Sequence, residues 1–160
     1  MEGTIEQLIN ASRYGDSEKV KELIGYGVRI DNNDDYYHTP LICASTNGYT
    51  DIIRMLLDSG EYINYKNTKG DTALIWASVN NKPESVKMLL SNDADINVHN
   101  KYGESCLSFH INIWEKEDVQ ELIINKQPQN IKFFDEKIGI LPQLREKYKD
   151  IIELSEMGIL

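Results

Sequence analysis

Apolar residues recur along this chain at a fixed long interval. Stepping by 33 from Leu8 reaches Leu41, Leu74 and Leu107. The same step from Ala11 gives Ala44, Ala77 and then His110, and from Val20 it gives Ile53, Val86 and Val119. The pair Leu23-Ile24 returns as Leu56-Leu57, Leu89-Leu90 and Leu122-Ile123, and Ile30 returns as Ile63 and Ile96. Within a cycle the spacing is helical: Ile52, Ile53, Leu56 and Leu57 fall on one face of a 3.6-residue period. Each cycle therefore predicts a helix, a turn, a second helix and a finger. Thr39 and Thr72 stand where a helix needs a capping hydroxyl, and Pro40 follows at the first helical position, where its missing N–H costs nothing. Gly15 and Gly48 end the first helices, and Gly27 and Gly60 stop the second. Asn67 and Gly70 are turn formers within the finger segment 63–72. Two short helices and a finger cannot bury their own apolar faces, but stacked neighbours can, so the repeat is itself the fold.

The best-matched cycles read "TPLICA" at 39–44 and "TALIWA" at 72–77, followed by "LLDSG" and "LLSND". This pattern resembles the ankyrin repeat family. The resemblance implies an all-α ankyrin-repeat solenoid of stacked helix-turn-helix units with β-turn fingers. It covers residues 1–126 in four repeats, about 1–33, 34–66, 67–99 and 100–126. The family's signature histidine is replaced by Ile42 and Ile75, which implies a more apolar link between neighbouring turns.

The ends depart from the pattern. Repeat one starts directly in "TIEQLINASRYGD", as an N-terminal cap would. Repeat four has Ser105 for Thr, His110 for Ala and Trp114 for the glycine that ends the first helix. A large residue at a close-approach site means that no standard repeat follows. "QPQN" at 127–130 breaks the chain, and Pro142 opens a helix with Leu144, Tyr148, Ile151 and Ile152 on one side. Residues 127–160 are expected to be a capping extension with one helix. A partner-docking helix is the other reading.

Charge narrows the function. The chain has 160 residues, 41% hydrophobic and 27% charged, with a net charge of -9. That balance argues against nucleic acid, which needs clustered Lys and Arg, and against an anionic membrane surface. With neither a secretory signal nor a long apolar run in "MEGTIEQLIN" and beyond, a cytoplasmic monomer is expected. Cys43 and Cys106 are expected to stay reduced. No phosphate-binding loop, dinucleotide fingerprint, zinc-protease helix or nucleophile elbow occurs. Cys106 and His110, four apart on a predicted first helix, could face one way, but a metal site needs further ligands. Glu18, Glu22, Asp58, Glu84, Glu117 and Glu121 follow the wet faces of the second helices. No enzyme, cofactor or metal is expected.

What remains is a non-catalytic scaffold that binds another protein. The fold leaves free the finger tip, the residue before the capping Thr and the end of the first helix, and in the resembled family these positions face the target on the concave side. They are Arg13 and Tyr14 in repeat one, and Asp35, Tyr36, His38, Thr46 and Asn47 in repeat two. Repeat three supplies Thr68, Lys69, Asp71, Val79 and Asn80, and repeat four Lys101, Tyr102, Glu104, Asn112 and Ile113. Tyr14, Tyr36 and Tyr102 are typical interface anchors. In "DNNDDYYH", Tyr37 replaces the turn glycine seen as Gly70 and Gly103, through an altered turn, contact or drift. Trp76, whose equivalents are Cys43 and Phe109, reads as core filler. The alternative is a small inhibitor that masks a basic surface of an enzyme or signalling protein. Two minor resemblances are the Leu-Pro pair at 141–142, as in an adaptor box, and Asn97 as a hydroxylation substrate.

Overall fold

The computed structural model describes residues 3–28 and 38–160. The expected pairs of helices are present: α1 (Ile5–Tyr14) with α2 (Ser17–Gly25), α3 (Pro40–Asn47) with α4 (Thr50–Asp58), and α5 (Ala73–Val79) with α6 (Pro83–Ser91). The caps explain where they begin. Thr39 Oγ1 accepts from the Ile42 N–H at 3.2 Å and Thr72 Oγ1 from the Ile75 N–H at 3.3 Å. Thr4 and Gln7 form a reciprocal capping box at the start of α1. Gly15 and Gly48 close the first helices in the left-handed region, and in repeat three Asn81 takes the same conformation with φ of 52°.

First helices stack as one layer, α1 on α3 on α5, and second helices as another, α2 on α4 on α6. The layers meet along the 33-residue columns. Leu8, Leu41, Leu74, Ile53, Val86, Leu56 and Leu89 are all buried, with Ala44 and Ala77 where the helices approach most closely. Each such aliphatic side chain contributes about 1.5–3 kcal/mol, which supplies the driving force that short isolated helices lack.

The described fingers hold themselves by one asparagine each. Asn67 Oδ1 accepts from the Lys69 and Asp71 N–H groups, and Asn100 Oδ1 from those of Tyr102 and Glu104. Neighbouring fingers dock through the Lys101 N–H on the Lys69 carbonyl at 2.9 Å. Gly70 makes this possible: its φ is +82°, and a Cβ there would lie 3.1 Å from Asn100 Cα and 3.3 Å from Lys101 N. Both are backbone atoms that cannot swing aside. Gly70→Ala is expected to lower stability, in urea unfolding, by more than the roughly 1–2 kcal/mol that the left-handed conformation alone would cost at an open site.

Repeat four differs from expectation. Its first helix is replaced by a 3-10 turn at Cys106–Ser108 and a single turn of helix, α7 (Ile111–Trp114), joined at His110 with φ of 44°. The close-approach column admits alanine, and histidine is too large for it, so the chain turns out at His110 and leaves that side chain exposed. Trp114, in the glycine column, instead turns inward. It is fully buried, and its indole N–H donates to the Phe109 carbonyl at 3.1 Å. The second helix of the repeat, α8 (Glu117–Lys126), packs on α6 as the period requires.

Beyond it the structure holds three helices where one was expected: α9 (Ile131–Lys137), α10 (Pro142–Lys147) and α11 (Lys149–Glu156). The apolar stripe from Leu144 to Ile152 is real, but it bends at Tyr148, so that α10 lies against α8 and α11 against α9. Residues 127–130 do not simply break the frame. Gln127 Nε2 donates to the Ala94 carbonyl and Asn97 Nδ2 to Asn130 Oδ1, each pair 33 residues apart. Gln120, buried on α8, ties this extension down: its amide donates to the carbonyls of Trp114 (3.0 Å) and Gly139 (3.1 Å) and accepts from the Leu141 N–H (2.8 Å).

Candidate protein-binding face

α3 lies between α1 and α5, and beside it is a pocket of about 280 Å³ lined from all three helices and from His38 just before α3. Its lining residues are Arg13, His38, Ile42, Cys43, Thr46, Asn47 and Trp76. Ile42, Cys43 and Trp76 supply apolar surface, and the others a polar rim. The His38 ring meets Trp76 edge-on, with centroids 5.8 Å apart and planes at 88°. Trp76 Nε1 is buried and, among the described residues, lacks a hydrogen-bond partner.

Local hydrogen bonds hold the rim. Thr46 Oγ1 donates to the Ile42 carbonyl at 2.7 Å and Asn47 Nδ2 to the Cys43 carbonyl at 3.0 Å. One cycle on, Asn80 Nδ2 donates to the Trp76 carbonyl at 2.8 Å. Each asparagine side chain thus folds back onto the carbonyl four residues earlier, as a second donor beside the Asn80 N–H at Trp76 (3.1 Å), and is presented in a fixed conformation.

Of the residues selected from the sequence, Arg13, His38, Thr46 and Asn47 come together in this pocket. Tyr14 lies at the exposed end of α1, and Tyr102 is exposed at a finger tip with Lys101, as are Thr68 and Lys69 on the preceding finger. Glu104 is half-buried and accepts from Asn100 Nδ2 at 3.0 Å. Val79 is half-buried, with His110 Nε2 at 3.2 Å from its carbonyl, and Asn112 is exposed on α7.

Two selections are corrected. Asp71 is buried and its carboxylate accepts from Asn100 Nδ2 at 2.9 Å, so it joins fingers rather than facing outward. Ile113 is fully buried, because the turn at His110 rotates α7 and puts this side chain into the core. Asp35 and Tyr36, with Tyr37, lie outside the described residues.

Trp76, expected to fill the core, packs against it, and being half-buried it also lines the pocket. Ile42 and Cys43 were also missed as lining. Nothing local in the sequence marks them, since the pocket is lined from three successive first helices.

Cys106 and His110 do not share a face. The Cys106 thiol is buried and points to the Ile96 carbonyl at 3.6 Å, and burial pushes its pKa up, away from thiolate chemistry. Among the described residues no group of three or more ligating side chains could hold a metal ion, and no helix is long and apolar enough to cross a membrane.

A family model described as ankyrin repeats, in three copies, matches residues 8–100. The match stops just before the segment in which repeat four loses its first helix. No curated protein matches the chain. With more than half of its length matched, alternate helix pairs in the required register and fingers joined by backbone hydrogen bonds, the chain belongs to the ankyrin repeat family, whose members are generally protein–protein interaction modules.

Proposed function

We propose that this protein is a non-catalytic scaffold that binds a partner protein on the concave side formed by its first helices and fingers, with the Trp76 pocket as the anchoring point. The observation that carries the reading is the pocket itself: four rim residues selected from the sequence surround an apolar floor. Capped helices hold this surface rigid, so docking costs little ordering entropy. An apolar side chain of the partner fills the pocket, and the Tyr102 finger tip adds a second contact. On the described part of this face, Lys69 and Lys101 are exposed while Asp71 and Glu104 are engaged with Asn100. Among the described residues, exposed acidic side chains on the second helices include Glu18, Glu22, Glu84 and Glu117.

The test is crosslinked affinity capture with Asn47→Arg, which obstructs the pocket mouth, Tyr102→Ala, and the outer-helix control Arg54→Glu. Circular dichroism establishes that each variant folds. The expected result is a partner lost at least tenfold with Asn47→Arg and retained with Arg54→Glu, the factor corresponding to about 1.4 kcal/mol. Partners that respond only to Arg54→Glu would place binding on the outer helices and overturn the proposal.

A further inference from the structure

One column of the repeat contains Val28, Glu61, Ala94 and Gln127, and only Glu61 can ionise. Glu61 follows α4, where its N–H donates to the Leu56 carbonyl at 3.1 Å. Only 6% of its surface is exposed. Its Oε1 accepts from the Leu41 N–H, in the first turn of α3, at 3.0 Å. Its Oε2 is buried and has no hydrogen-bond partner among the described residues. The start of α3 is thus held twice, by the Thr39 hydroxyl on the Ile42 N–H and by Glu61 on the Leu41 N–H.

No described cation offsets a charge at this place. Neither α3 nor α5 carries a charged side chain, and Asp51, Arg54 and Asp58 are exposed on α4. Lys66 is exposed, His38 packs on Trp76, and Asp71 is engaged by Asn100. Glu84 is exposed on α6 and Lys87 pairs with it and with Asp118. A buried carboxylate held only by the Leu41 amide and the nearby Thr39 hydroxyl loses far more hydration than it regains.

We propose that Glu61 is a protonation latch. Carrying its proton, it fastens the first turn of α3 to the loop after α4. Without the proton, the buried charge weakens that joint, and with it the pocket wall that α3 provides. This inference concerns α3 and stands apart from the partner reading.

Burial pushes the Glu61 pKa up to about 7, against the smaller downward pull of the Thr39 hydroxyl and the Leu41 amide. The unfolded chain loses this proton near 4.5, the ordinary value. Between these values the folded state binds more protons than the unfolded state, so stability falls as pH rises through the window and levels off above it. Tenfold per pKa unit makes this roughly a 100- to 300-fold loss in the folding constant between pH 4.5 and 8.

The experiment is carbon-detected NMR titration of the glutamate carboxyls, with urea unfolding at pH 4.5 and 8, in the intact chain and in Glu61→Gln. The variant retains a carbonyl for the Leu41 N–H. One carboxyl is expected to titrate near neutrality and to vanish in the variant. The ratio of folding constants, variant over native, is expected to rise by roughly two orders of magnitude over that pH range. Amide protection at Leu41 and Ile42 falls more than at Ile123 of α8. The proposal is overturned if every carboxyl titrates below about 5.5, if the ratio is flat with pH, or if protection at Ile123 falls as much as at Leu41.

Discussion

Trp114→Ala is expected to lower the stability of the protein by about 3–5 kcal/mol, the largest loss of any single substitution considered. Trp114 is fully buried among the described residues and is among the largest side chains so placed. Truncation removes its contacts and leaves a cavity that the surrounding backbone cannot refill, because α8 and the extension beyond it are fixed by other bonds. It also removes the indole N–H that satisfies the Phe109 carbonyl. A domain of this size is stable by about 5–15 kcal/mol, so a large share of the total is at stake. Urea unfolding followed by circular dichroism measures it. A loss below about 1 kcal/mol would mean that Trp114 is not a core residue. Trp114→Phe, which preserves most of the volume, is expected to lose less than half as much.

Gln120→Leu is expected to cost about 3 kcal/mol even though leucine is the more apolar residue. The reason is what it leaves behind: the Trp114 and Gly139 carbonyls and the Leu141 N–H lose their common partner, at about 1–3 kcal/mol for each group that stays buried. The loss should be local. Hydrogen exchange is expected to speed up through α9, α10 and α11 while Leu8 and Leu41 remain protected, since nearest-neighbour coupling confines damage in a repeat array. Uniform acceleration along the chain would show that the extension and the repeats unfold as one unit.

Both predictions fall where the sequence was hardest to read. Up to Asn100, the repeat could be read directly. Thr39, Gly48, Ala44, Leu56 and their copies are constrained by stacking, and each constraint is local enough to leave a letter at a fixed interval. Repeat four retains Leu107, Val119 and Ile123 in frame, so its presence was legible. Its missing first helix was not. Whether His110 is accommodated or expelled depends on how closely α5 approaches, which no local pattern records. The same holds for the single stripe from Leu144 to Ile152: its apolar spacing fits one helix, and only the positions of α8 and α9 bend it at Tyr148.

The candidate face divides in the same way. The sequence identified Arg13, His38, Thr46 and Asn47 as positions the fold leaves free, at the end of a first helix or just before a capping Thr. It could not show that they surround Trp76, since that depends on how the first helices of three repeats pack side by side. It placed Asp71 and Ile113 outside, and tertiary contacts put both inside. By itself, then, the sequence determined the period, the caps, the stacking columns and the family, all of which follow from short-range rules repeated every 33 residues. Tertiary structure decided which unrepeated side chains share a pocket, which are buried, and where a lone carboxyl such as Glu61 loses its water. Those outcomes depend on distances between repeats, and the period does not encode them.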